Sequence, residues 1–241
     1  MNRRSLLLGL VVILLVAGSA SAVYFLARHE PEFYREAELR EGNSNERAKL
    51  SGEFITQLNS FRQDVAFNTR WSAEFKEEWI NSFFDDQFVP LGFAKQVLPE
   101  GISTPRVAID KDQIRLAFRY HLGPFSTIIS IKMRVWLAPK EPNVVALELR
   151  GLHAGSLPIS AQSLLESVSE TARQNNIEVT WYRHQGNPVA LLRFQADQDR
   201  PTYHLEHLAL DQGVLMIAGS SSEGSPRRAM MPPTPTVPAS N

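Results

Sequence analysis

Ile129-Ser130-Ile131-Lys132-Met133-Arg134-Val135-Trp136-Leu137 places an apolar side chain at every second position. Successive side chains of a β-strand point to opposite faces, so this period of two predicts a long strand with one face buried. The pattern repeats on both sides. Val107 and Ile109 form one run; Ile114, Leu116, Phe118 and Tyr120 form the next; Val145, Leu147 and Leu149 follow. Turn residues separate them: Lys111-Asp112, Gly123-Pro124 and Pro139 to Pro142. Strands joined by short turns pair as an antiparallel meander.

Further strands are expected at Trp71 to Phe75, Ile177 to Trp181, Val189 to Phe194, His204 to Leu210 and Val214 to Ala218. Asp211-Gln212-Gly213 joins the last two as a hairpin. Three stretches change period. Leu50, Phe54, Leu58, Phe61 and Val65 recur at steps of four and three, predicting an amphipathic helix over Glu46 to Ala66. Lys76 to Phe88 carries Trp79, Ile80, Phe83 and Phe84 at helical spacing, with Asp85 and Asp86 near its end. Ala161 to Asn175 carries Leu164, Leu165, Val168 and Ala172, with Ser160 as N-cap. Pro90 to Pro105 reads as a loop. The fold class is α+β: a large antiparallel sheet covered on its apolar face by amphipathic helices.

Ahead of this domain, Ser5 to Ala27 contains no charged residue. A helix of about 20 apolar residues crosses a hydrocarbon core of roughly 30 Å. Arg3 and Arg4 on the short side favour a cytoplasmic N-terminus and an exported C-terminal part. Ala20-Ser21-Ala22 also fits a signal-peptidase site, but Val23-Tyr24-Phe25-Leu26-Ala27 extends the apolar run past it. The expected organisation is 1–27 as cytoplasmic start and single-pass transmembrane anchor, 28–45 as linker or stalk, 46–219 as extracytoplasmic domain, and 220–241 as a disordered proline-rich tail.

Composition narrows the chemistry. The net charge of −1 over 241 residues offers no broad basic field for nucleic acid. With no cysteine, disulfides, thiol catalysis and cysteine-ligated zinc are excluded. His204-Leu205-Glu206-His207 is the tightest group of metal-capable residues, yet on a strand His207 faces away from His204 and Glu206. Asp85-Asp86 and the pair Asp197 and Asp199 read as solvated helix ends or turns. No nucleophile, base and orienter come together, and no glycine loop suits a phosphate. The expectation is a non-enzyme with no catalytic residue, metal or cofactor.

Three segments resemble a known pattern. Phe75-Lys76-Glu77-Glu78-Trp79-Ile80-Asn81 is similar to a strand-to-helix signature of small exported lipid-binding-type domains. Leu147 to Ile159, with Gly155-Ser156-Leu157-Pro158, is similar to their strand-to-helix junction. His204 to Gly219 resembles their last hairpin. Together with Pro31-Glu32-Phe33-Tyr34, these resemble an uncharacterised family of membrane-anchored proteins from planctomycete-type bacteria. More distantly they resemble the tubular lipid-binding (TULIP-like) and YpmS-like domains of bacterial envelopes. The likeness spans Pro31 to Gly219; Lys76 stands where the pattern has Thr, and Ser160 where it has a second Pro. It implies a curved sheet wrapped on a long helix, with an apolar groove for lipid chains in some members.

The candidate lining of such a groove is Ile80, Phe83 and Phe84 of one helix, Ile129, Ile131, Met133 and Val135 of the long strand, and Leu164, Leu165 and Val168 of another helix. A filled core and a ligand groove both demand apolar inward positions, so the pattern serves either. The expected partners are the membrane, a lipid-like apolar ligand and, as an alternative, another envelope protein docked on the Glu46 to Ala66 helix or the tail.

Overall fold

The computed structural model describes residues 3–39, 43–91, 101–174, 177–194 and 202–222. Helices α1 (Arg3–Arg28), α2 (Glu32–Leu39) and α3 (Ser44–Phe67) come first, followed by β1 (Arg70–Lys76) and α4 (Glu77–Phe83). A π-helical turn, Phe84–Phe88, extends α4. Then come β2 (Ile102–Ile109), β3 (Ile114–Leu122), β4 (Phe125–Leu137), β5 (Val144–Ala154), β6 (Leu157–Pro158), α5 (Gln162–Gln174), β7 (Glu178–His184), β8 (Asn187–Arg193), β9 (Tyr203–Asp211) and β10 (Val214–Ser221). The fold is α+β and antiparallel.

The strands form two sheets where the sequence suggests one. The larger runs β2-β3-β4-β5-β8-β7, with β6 pairing β5; the smaller runs β1-β10-β9. Aromatic packing explains the separation. Trp71, Ala73 and Phe75 are the buried alternate residues of β1. Their aromatic rings meet α3: Phe61 lies 5.5 Å from Trp71 and 5.9 Å from Phe75, and Phe54 lies 6.0 Å from Phe75. Such pairs each contribute about 0.5–1.5 kcal/mol beyond their area. The last hairpin leaves the large sheet to complete β1 beneath α3. Asn43 caps α3 by accepting from the Glu46 N–H.

Helix α4 closes the edge of the large sheet. The Asn81 side-chain amide donates to the Val107 carbonyl and accepts from the Val107 N–H, at 2.9 and 2.8 Å. Glu77 accepts from the Ile109 N–H at 2.8 Å. These side chains stand in for a neighbouring strand and cover groups that would otherwise template aggregation. The Gly213 N–H bonds the Ile109 carbonyl and the Glu77 N–H bonds the Gly213 carbonyl, joining the sheets at one corner. Strand β2 starts inside the expected Pro90 to Pro105 loop. Its register shifts between Ser103 and Arg106, a bulge that accommodates Pro105, which has no N–H to offer a ladder. Arg106 is almost fully buried and bonds Asp85 at 2.6 Å, so Asp85 is a structural partner and not merely a solvated helix end.

The segment expected as linker or stalk is instead docked. Phe33 and Tyr34 of α2 are buried with Ala108, Ala117 and Ile128. The Tyr34 hydroxyl lies 2.6 Å from the Thr104 hydroxyl, and burial pushes its pKa up. Arg119 bonds Glu30 and Glu38, at 2.9 and 3.3 Å. Two aromatic residues in a polar run are enough to dock the helix because the sheet face opposite is apolar. At the other end, Ser220 and Ser221 belong to β10 and not to the tail: Ser221 accepts from the Trp71 indole and donates to the Val65 carbonyl. Residues 223–241, where the disordered tail is expected, lie outside the described residues.

No helix of the described residues is long and apolar enough to cross a membrane. Helix α1 is 26 residues long, but its side chains are described only from Leu14 onward, past the leucine-rich Leu6 to Ile13. The expected transmembrane anchor is therefore not carried by the described residues.

Candidate apolar ligand site

The large sheet has two unlike faces. Ile128, Ala117 and Ala108 point towards α2. Ile131, Leu149 and Leu152 form a buried centre on the other face. Around that centre Leu116, Phe118, Ile129, Met133, Ala161, Leu164 and Leu165 are only partly buried. The two faces follow from β4's alternation and its pairing: Ile129 stands opposite Phe118 and Ala154, Ile131 opposite Leu116 and Leu152.

Helix α5 covers this second face. Ser160 accepts from the Gln162 N–H at its start. Its outer side is polar, with Gln162 bonding Glu166 and Arg173 bonding Glu170. One polar fastening lies beneath it: the Trp181 indole donates to the Ser169 hydroxyl at 2.8 Å, and that hydroxyl donates to the Leu165 carbonyl. Both bonds are satisfied, so Trp181 fixes α5 over the sheet without leaving a buried polar group unpaired.

Of the sequence-derived lining, Ile129, Ile131, Met133, Leu164 and Leu165 share one cluster. Val135 lies further along the same face of β4, opposite Leu147, and Val168 is half-buried on α5. Ile80, Phe83 and Phe84 are not part of that cluster. They belong to α4 and its π-helical turn, where Phe83 stacks 4.9 Å from Phe54 and Phe84 lies 5.4 Å from Phe88. Phe83 thus packs against α3.

Two of the cavities among the described residues lie elsewhere. One of about 440 Å³ lies among Phe33, Glu36, Glu77, Asp110, Arg115 and Gly213. The other, about 390 Å³, lies beside the β4–β5 turn with Leu205 and Glu206. Among the described residues no three His, Asp or Glu side chains converge as a metal site. Glu148 is a buried carboxylate: the Asn187 amide's hydrogen bond holds it below the usual carboxylate range, with help from Arg150 and against its own burial. These fixed partners give it a structural role.

The residues that sequence reading missed are Glu77, Asn81 and Gly155. All three lie in the segments that carry the family resemblance, and all make backbone contacts. No family model matches the chain, and no curated protein or solved structure matches it significantly.

Proposed function

We propose that this chain is a single-pass, membrane-anchored extracytoplasmic protein, without catalytic activity, that takes a lipid-like apolar molecule between α5 and the large sheet. The observation that carries the ligand reading is the incomplete burial of Leu116, Phe118, Ile129, Met133, Leu164 and Leu165 beneath a single helix. An apolar chain entering there would bury methylene groups at about 0.8 kcal/mol each. The Trp181–Ser169 hydrogen bond holds α5 over this strip. The uncharged run from Ser5 to Ala27, helical in α1, supports the anchor. At 1.5 Å per residue it spans roughly 34 Å, enough for the hydrocarbon core. The family resemblance supports both parts.

Photo-crosslinking tests the ligand reading. A phospholipid with a diazirine on its acyl chain, incorporated into proteoliposomes of the full chain, is expected to label peptides from β4 and α5 around Ile129 to Val135 and Leu164 to Val168. Labelling confined to α1 contradicts it. The alternative, docking of another envelope protein on α3, has less support, because the apolar residues Phe54, Phe61 and Val65 of that helix already pack inside the domain.

A further inference from the structure

Chain geometry after α1 fixes how the domain stands on its anchor. A helix leaves its last four carbonyls without intrahelical partners. Here the domain supplies partners for two of them: the Ser156 N–H bonds the Leu26 carbonyl at 2.8 Å and the Thr127 hydroxyl bonds the Ala27 carbonyl at 2.6 Å. Gly155, at φ +60, lies so close that a Cβ there would be 2.3 Å from the Leu26 carbonyl oxygen. Only His29, Glu30 and Pro31 separate α1 from the docked α2. Helix α2 then packs on the sheet: Glu30 and Glu38 both meet Arg119, Phe33 stacks under Arg115, and Ala37 reaches the cavity beside Asp110.

The β3–β4 turn thus lies close to the end of α1, because Thr127, two residues after Phe125 at the start of β4, bonds Ala27. We propose that this hairpin tip is immersed in the bilayer interface beside α1, with Phe125 as its apolar contact, so that the partner of this surface is the lipid bilayer itself. The inference rests on the anchor reading. Phe125 is 56% exposed. It stands two residues beyond Thr127, about 7 Å at strand rise, and Thr127 is level with Ala27, the end of the apolar run. On α1, Val23, Tyr24, Phe25 and Leu26 are exposed as well, and the Arg28 guanidinium stacks 4.8 Å from the Tyr24 ring. An aromatic ring with a cation folded back over it suits the headgroup level. Phe125 also shares its face of β4 with Thr127, Ile129 and Ile131. One strand face thus leads from the bilayer surface to the α5-covered strip, a short route for an acyl chain.

The absence of cysteine permits a direct test on the full chain in proteoliposomes of phosphatidylcholine and phosphatidylglycerol. Single-cysteine variants Phe125→Cys, Pro124→Cys and Asp112→Cys are labelled with the fluorophore NBD. Asp112 lies at the far end of the nine-residue β3, about 30 Å away. Labels at 124 and 125 are expected to emit at shorter wavelength than the label at 112 and to be quenched at least twofold more by doxyl-labelled lipid. Water-like emission at all three positions, in protein that resists alkaline carbonate extraction, overturns the inference and leaves the anchor standing. Release of the protein by carbonate overturns the anchor reading and this inference with it.

Discussion

Replacing Gly155 by alanine tests the rigid union of α1 with the sheet. Two separable penalties follow from the structure. The residue sits at φ +60, where a side chain costs about 1–2 kcal/mol. The new Cβ would also lie 2.3 Å from the Leu26 carbonyl oxygen and 2.5 Å from that of Ala27. Both are backbone atoms, so α1 must move and the bonds from Ser156 and Thr127 weaken, at roughly 1 kcal/mol each. The expected loss is about 3–4 kcal/mol. Gly186 is the internal control: it has φ +87 and nothing within 4 Å of an added Cβ, so Gly186→Ala meets only the backbone penalty. At about 2–4 °C per kcal/mol for a domain of this size, Gly155→Ala should melt roughly 6–16 °C below wild type, and Gly186→Ala roughly 2–8 °C below. Differential scanning calorimetry of the full chain in one detergent measures both. Limited proteolysis should also cut near His29 faster in Gly155→Ala alone. Equal melting of the two variants, with equal cleavage, would refute docking of α1 on the sheet.

Asn81→Ala removes both bonds to Val107 and opens the edge of β2. A destabilisation of about 2–3 kcal/mol by denaturant titration is expected, together with faster aggregation, whereas Asn68→Ala at the end of α3 should cost much less. Glu148 has a lowered pKa in the folded state, so its stabilising effect is present above the unfolded value of about 4.5 and is lost as pH falls through the folded one. Wild type should therefore lose more stability than Glu148→Gln between pH 5 and pH 3 in pH-dependent melts. Burial pushes Tyr203 up to about 12. Its neutral form stabilises the fold fully below pH 10, and that contribution fades as pH rises towards 12, so Tyr203→Phe should flatten the alkaline melting curve and remove the latest step in ultraviolet tyrosine titration.

Strand positions were legible because side-chain alternation is local: β3, β4, β5 and the last hairpin follow directly from their apolar residues. The division into two sheets was not legible. Trp71 bonds Ser221 across 150 positions of sequence, and no local period encodes which strand completes β1. The docking of α2 was hidden for a related reason: charge dominates residues 28–45, and only Phe33 and Tyr34 hint at burial. Within the candidate site, period marked apolar positions but did not assign them to a core. Ile131 and Leu164 share one, while Phe83 joins Phe54 in another. The motif residues Glu77, Asn81 and Gly155 were visible as a pattern, but their work is done through backbone atoms that no side-chain periodicity reports.

The claim of a lipid-like ligand under α5 is tested most directly by native mass spectrometry of the full chain released from detergent micelles, followed by organic extraction of the same sample. The account predicts a near-stoichiometric mass excess that extracts as one lipid class and disappears in Leu164→Lys. A bare protein mass in wild type, unchanged after incubation with membrane lipids, would contradict it.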